Sequence, residues 1–158
     1  MSKVKLDRID RKILNDLQEN GRMTNVQLAE RAGISAPPCL RRVRALEEAG
    51  VIRGYHADID PSALGYSISV WAQVGLTSQA EGDLKKFEEL IKTWPLVREC
   101  YLVSGEADYI MRIVAADWDA YQKFLTQHLT AAPNVSHVKS ALGVRVAKHK
   151  PGVPVDTE

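Results

Sequence analysis

Three features of the sequence predict an α+β chain built of two successive parts. Apolar residues recur at helical spacing as far as Gly50. From Tyr66 onward they alternate with polar residues, as strands require. Between the two patterns, Asp60-Pro61 and Gly65 break the chain.

The first part reads as three helices. The first spans Asp7 to Asn20, with Asp7 as N-cap and Asp10 placing negative charge in the first turn. Ile9, Ile13, Leu14 and Leu17 form its apolar stripe, and Asn20-Gly21 ends it, with Gly21 expected in the left-handed conformation. The second helix starts at Thr24, which forms a capping-box pair with Gln27, and Gly33 ends it. Ser35 caps the third, which runs to about Glu48 before Gly50. Pro37 and Pro38 sit in its first turn, where missing N–H groups do no harm. Ala36, Cys39, Leu40, Val43 and Leu46 share one side of this helix; Arg41 lies nearly opposite, flanked by Arg42 and Arg44. Ile52 to Ile59 reads as a short strand or hairpin. Three helices with a tight second turn and a β-element make a winged helix-turn-helix over residues 1–60.

In the second part, a strand from Tyr66 to Leu76 puts Ile68, Val70, Ala72, Val74 and Leu76 on one face. A helix from Ala80 to Thr93 carries Leu84, Phe87, Leu90 and Ile91. Strands 97–103 and 109–115 follow, joined by the loop 104–108. Asp117 caps a second helix bearing Trp118, Tyr121, Phe124, Leu125 and Leu129. A last strand runs from Val135 to Val146. The order β-α-β-β-α-β is the ferredoxin-like unit, over residues 61–147. Residues 148–158, with Pro151, Gly152 and Pro154, read as a disordered tail. The fold class is thus α+β, an N-terminal winged helix-turn-helix followed by a ferredoxin-like βαββαβ domain.

Composition narrows the function. The 158 residues hold 21 Lys plus Arg against 20 Asp plus Glu, net +1, which excludes a uniformly basic packer of nucleic acid but not a local basic patch. No apolar run approaches the roughly 20 residues that span a bilayer, and the start lacks a signal-peptide core, so a cytoplasmic protein with no membrane partner is expected. Cys39 and Cys100 lie outside any CxxC or Cys/His cluster, and His56, His128, His137 and His149 are dispersed. No P-loop, GxGxxG or GxSxG occurs. No enzyme, catalytic residue, metal or cofactor is expected. The strand Tyr109 to Val114 lacks the aromatic pattern by which a ferredoxin-like sheet binds RNA.

The third helix carries the main functional signal. The second helix of a helix-turn-helix enters the major groove of double-stranded DNA, and arginine there contacts guanine or phosphate. The candidate DNA-binding set is Thr24 and Asn25 at the start of the second helix, with Ser35, Pro37, Pro38, Arg41, Arg42 and Arg44 of the third. The plainer alternative is a solvated face, with Arg44 paired to Glu47 or Glu48, and for Arg42 the alternative is a structural ion pair. Capping, the tight turn and the following β-element together favour DNA. Residues 1–60 hold 11 basic against 9 acidic residues, and the remainder 10 against 11, so the positive excess lies in the first part. A single half-site offers few contacts, so a dimer is expected. The loop Ser104 to Tyr109 is the second feature. It either exposes N–H groups beside two acids to hold a small amino acid, or is a simple hairpin turn. A different class, a small-molecule or enzymatic domain with helices used only for protein contacts, is disfavoured by the lack of a nucleophile–base pair.

From about Leu6 to Val146 the chain resembles the Lrp/AsnC (leucine-responsive/asparagine regulator) family of bacterial transcription regulators, and within it the leucine-responsive branch. The matching segments are LDRIDRKILNDLQENGR at 6–22, LAERAGISAPPCLRRVRALEEAGVIRGYHADIDPSALGY at 28–66, ECYLVSGEADYIMRI at 99–113 and WDAYQKFL at 118–125. The resemblance implies a non-enzymatic regulator that forms dimers, often octamers, and responds to an amino-acid effector. It places the effector between dimers, near the hairpin loop matched here by Gly105, Asp108 and Tyr109. The last strand, with Ala141, Leu142 and Gly143, contributes as well. Those three are small for the positions, so leucine need not be the effector.

Overall fold

The computed structural model describes residues 5–157, which fall into two compact units. The first runs to Asp58 and takes back the tail from Lys148; the second is Ile59–Ala147.

The first unit contains α1 (Arg8–Glu19), α2 (Asn25–Ala32) and α3 (Ala36–Glu48). Asp7 caps α1 as expected, in a full reciprocal box. Its side chain accepts from the Asp10 N–H at 2.9 Å, and its own N–H donates to the Asp10 carboxylate at 3.1 Å. Thr24 and Gln27 make the same exchange at the start of α2. Gly33 ends α2 at φ 70°, a left-handed position that costs glycine nothing. Two expectations are corrected. Gly21 does not turn left-handed, because α1 ends on an extended Asn20. Ser35 occupies the N-cap of α3, yet its side chain makes no capping hydrogen bond.

The apolar stripes meet in a small core of Ile13, Leu28, Ala29, Cys39 and Leu46. Inside it lies one charge, Asp16, paired with Arg31 at 2.8 Å. The wing is also corrected. Residues 52–59 carry no ladder among the described residues, and 53–59 are exposed. Strand-type side chains form a strand only with a hydrogen-bonding neighbour, and the described residues supply none. One side chain ties the segment down: the Tyr55 hydroxyl donates to Glu47 Oε1 at 2.8 Å. The tail, read as disordered, has no helix or strand but lies on α1. The Val153 N–H donates to Gln18 Oε1 at 2.7 Å, and Gln18 Nε2 donates to the Val153 carbonyl at 3.0 Å.

The second unit begins with a 3₁₀ turn, Pro61–Leu64, and continues as β1 (Ile68–Leu76), α4 (Glu81–Lys92), β2 (Val97–Leu102), β3 (Tyr109–Ala115), α5 (Trp118–Phe124) and β4 (Val135–Leu142). The sheet is antiparallel throughout, in the order β2-β3-β1-β4, with β1 and β3 central. That is the ferredoxin-like arrangement expected. Period-two alternation buries Val70, Ala72, Val74 and Leu76 of β1 and Tyr109, Met111 and Ile113 of β3 on one face. Phe87 and Ile91 of α4 and Tyr121 and Phe124 of α5 cover that face.

Two boundaries differ from expectation. A π turn, Leu125–Leu129, extends α5. Phe124 and Leu129 are five residues apart and both enter the core, so the turn widens to bring them to one side. The last strand stops at Leu142 instead of Val146, and Val144 and Val146 lie in solvent.

Candidate nucleic-acid interface and effector loop

The α2–turn–α3 segment places the candidate residues in three different settings. Pro37, Arg41 and Arg44 are exposed, and at 100° per residue they fall within about 60° of one another on α3. Among the described residues neither Arg41 nor Arg44 forms an ion pair, so the alternative pairing of Arg44 with Glu47 or Glu48 is not made. Thr24 and Ser35 are exposed at the first residues of the two helices, and Pro38 is half-buried. The N-terminal end of α3 adds positive helix-dipole potential to this arginine stripe, which suits contact with phosphate.

Two of the candidates turn inward. Asn25 Nδ2 donates to the Ala36 carbonyl at 2.8 Å, pinning the start of α2 to the start of α3. Its Oδ1 is buried with no hydrogen-bond partner, so the side chain faces the turn and not the solvent. Arg42 is corrected as well. Its Nη1 donates to Asp7 Oδ2 and to Asp10 Oδ1, each at 2.7 Å. The guanidinium is half-buried between α3 and the cap of α1. Arg42 holds the Asp7 carboxyl below its ordinary range together with the Asp10 N–H, which is the larger cause. A sequence signal for this existed: two aspartates three residues apart in one capping box repel, and a cation nearby relieves them.

The effector candidates also separate. Gly105 sits at φ 139° in the hairpin, where a side chain would be strained. Around it lies an open recess of about 290 Å³, lined by Gln73, Val103, Ser104, Gly105, Glu106, Ala107 and Ile110. Gln73 and Ile110 were not anticipated; they reach the recess because β1 and β3 pair at that point.

Asp108 turns away from the recess. Its carboxylate accepts the Leu76 N–H at 2.6 Å and thereby fastens the hairpin to the end of β1. Tyr109 is corrected: it is buried, its ring packs on Phe87 at 5.2 Å, and its hydroxyl donates to Glu88 Oε1 at 2.9 Å. Burial, more than Glu88, raises its phenol pKa.

Ala141 and Leu142 pair with Trp71 and Val70, and the Gly143 N–H donates to the Ser69 carbonyl at 2.8 Å. A Cβ on Gly143 would stand 3.1 Å from that carbonyl oxygen, so the small residue serves a close backbone approach. Asp108 therefore binds at Leu76 and Gly143 at Ser69, seven residues along one strand. At about 3.3 Å per residue that is about 20 Å. Gln73 of the recess lies two residues from Trp71, the partner of Ala141, so the recess and Ala141 share one face of the sheet.

No group of three or more metal-ligating side chains occurs among the described residues. None of the described helices is long and apolar enough to cross a membrane.

Comparison with known proteins agrees with this division of labour. Residues 6–53 match a family described as winged helix-turn-helix DNA-binding, and residues 69–153 match the Lrp/AsnC ligand binding domain. The leucine-responsive regulatory protein of Rhizobium meliloti is 53% identical over 146 residues, covering 92% of this chain and 94% of that one. The Bkd operon transcriptional regulator of Pseudomonas aeruginosa is 45% identical over 140 residues, covering 89% and 92%. Among solved structures, a transcriptional regulator from Neisseria meningitidis in complex with L-Met superposes with a TM-score of 0.91 at 34% identity, covering 96% of this chain and 98% of that one. An AsnC family regulator from Agrobacterium tumefaciens gives a TM-score of 0.88 at 36% identity, covering 94% and 97%. With a DNA-binding helix-turn-helix, a ligand-binding domain and relatives of this similarity along nearly its whole length, the chain belongs to the Lrp/AsnC family of transcription regulators, which are not enzymes.

Proposed function

We propose that the protein is a cytoplasmic homo-oligomer that reads duplex DNA with α3, and that an amino acid bound between copies shifts its assembly. The observation that carries this reading is that the hairpin recess stands open on one chain, lined by Gln73, Val103, Gly105 and Ile110. A second copy closing over the recess would complete the pocket and link effector binding to assembly. The domain division at residues 60 and 147 belongs to the same proposal, with the first part for DNA and the second for effector and assembly. Arg41 and Arg44 contact DNA, and Pro37 and Ser35 bring the first turn against the backbone. On the effector side, Gly105 keeps the recess open and Asp108 holds the hairpin's shape.

Two further observations support it. The sheet face away from the helices exposes Trp71, Tyr101 and the paired Arg112 and Glu99, a surface of the kind that second copies cover. The Neisseria meningitidis relative was solved with L-Met, an amino acid. An effector at such a boundary can act only by binding one assembly state more tightly, typically by about 1–3 kcal/mol.

Light scattering with a panel of amino acids including L-methionine and L-leucine, run beside DNA titrations, tests the reading. A change in mass accompanied by a change in DNA affinity supports it. A constant monomer that binds DNA alike with every amino acid contradicts it.

A further inference from the structure

Arg42 lies on the DNA-reading helix yet points at α1, and the pattern of its bonds is specific. Each aspartate of the α1 capping box uses one oxygen for the cap: Asp7 Oδ1 accepts the Asp10 N–H, and Asp10 Oδ2 accepts the Asp7 N–H. The other oxygen of each goes to Arg42 Nη1 at 2.7 Å. Asp10 is well covered, with 15% of its side chain exposed, so its charge is poorly screened by water. Two carboxylates are thus forced together at the start of α1, and one guanidinium from α3 offsets them.

We infer that Arg42 is a positioning residue for DNA binding, a clamp that fixes α3 against the cap of α1 so that Arg41 and Arg44 meet the DNA in the correct rotation. The inference rests on α3 being the reading helix. The physical reason is leverage. α1 and α3 otherwise meet through apolar side chains around Ile13 and Cys39, and such contacts let one helix roll on another. A two-point ion pair at the rim opposes that roll. Arg42 and Arg41 are adjacent and about 100° apart on the helix, so holding one inward sets the other outward.

The clamp and a direct phosphate contact have opposite consequences for the acids. If Arg42 touched DNA, removing Asp10 would free it and remove repulsion, and binding would tighten. If Arg42 is a clamp, removing Asp10 loosens α3 and binding weakens. Salt dependence separates the two as well, since each lost phosphate contact flattens the plot of log affinity against log salt by about 0.9.

The test uses the full chain and a duplex selected from a random-sequence pool by the wild-type protein. Arg42→Gln, Arg42→Lys, Asp10→Asn and Arg41→Ala are titrated at several salt concentrations, below the melting temperature of each. The expected result is a loss of about tenfold for both Arg42→Gln and Asp10→Asn. The salt slope stays at the wild-type value in Arg42→Gln, and Arg42→Lys recovers most of the affinity. A slope flattened by about 0.9 in Arg42→Gln overturns the inference. So does wild-type affinity in folded Arg42→Gln, or binding by Asp10→Asn as tight as wild type or tighter. Should Arg42→Gln fail to fold, Asp10→Asn decides. Arg41→Ala is the control for the reading beneath: wild-type affinity and slope there sink α3 as the reading helix, a different outcome from failure of the clamp.

Discussion

Arginines 41, 42 and 44 are chemically alike and three residues apart at most, yet the fold gives them different work. Arg41 and Arg44 are exposed, and Arg42 is drawn to Asp7 and Asp10. Composition and spacing place all three on the outer half of α3. Only the packing of α1 reveals which of them has a partner, because that contact joins residues 35 positions apart. Arg41→Ala is expected to weaken DNA binding by about 1–3 kcal/mol if it reads a base, measured by gel-shift titration. The Asp7 carboxyl gives a pH test. Its folded pKa lies below the ordinary 3.8, so the stability it contributes is present above 3.8 and is lost as pH falls through the folded value. Asp7→Asn should therefore show a shallower acid unfolding curve than wild type below pH 3.8, followed by circular dichroism. Equal curves would mean that the carboxylate gains nothing on folding. Cys100 is another residue whose setting matters, since burial pushes its thiol up to about 11. It is a packed side chain and not a nucleophile.

At the scale of elements, helices were the most legible. The caps at Asp7, Thr24 and Asp117 are local chemistry, written within four residues of sequence, and each forms as expected. The strands of the ferredoxin-like unit were legible through alternation. Their ends were not, because alternation continues through Val144 and Val146 after the ladder partner has run out at Ser69. The segment 52–59 failed for the same reason: β-type residues state a preference, and pairing needs a second strand. The site was less legible than the fold. Asp108 and Tyr109 carry polar atoms that satisfy Leu76 and Glu88, and those partners are 32 and 21 residues away. Two expectations follow. Ile13→Ala, in the fully buried centre of the three-helix core, should cost about 2–5 kcal/mol by denaturant unfolding. Val144→Ser and Val146→Ser should stay within about 0.5 kcal/mol of wild type under the same assay in the monomer, since neither side chain leaves water on folding.

At the scale of the whole molecule, the chain crosses between its units twice, after Asp58 and again before Lys148. The returning tail is fastened to α1 through Gln18 and Val153. Gln18→Ala should free it, seen as faster hydrogen exchange at the Val153 amide; an unchanged rate would show that the tail is held by other contacts. The near-neutral total charge also resolves at this scale. A slight positive excess in the first 60 residues and a slight negative one beyond suit several modest basic faces displayed by one assembly. The central claim is that effector binding needs two copies, because the hairpin recess stands open on one chain and a second copy must close it. Complementation tests it directly. Gly105→Val disables the hairpin side and Leu142→Arg the last-strand side, and each variant alone should lose the amino-acid-induced change in DNA affinity. Co-refolded mixtures of the two should regain part of that change, since some boundaries then pair an intact half from each. Mixed assemblies that respond no better than either variant alone, or single variants that keep the full response, would contradict the account.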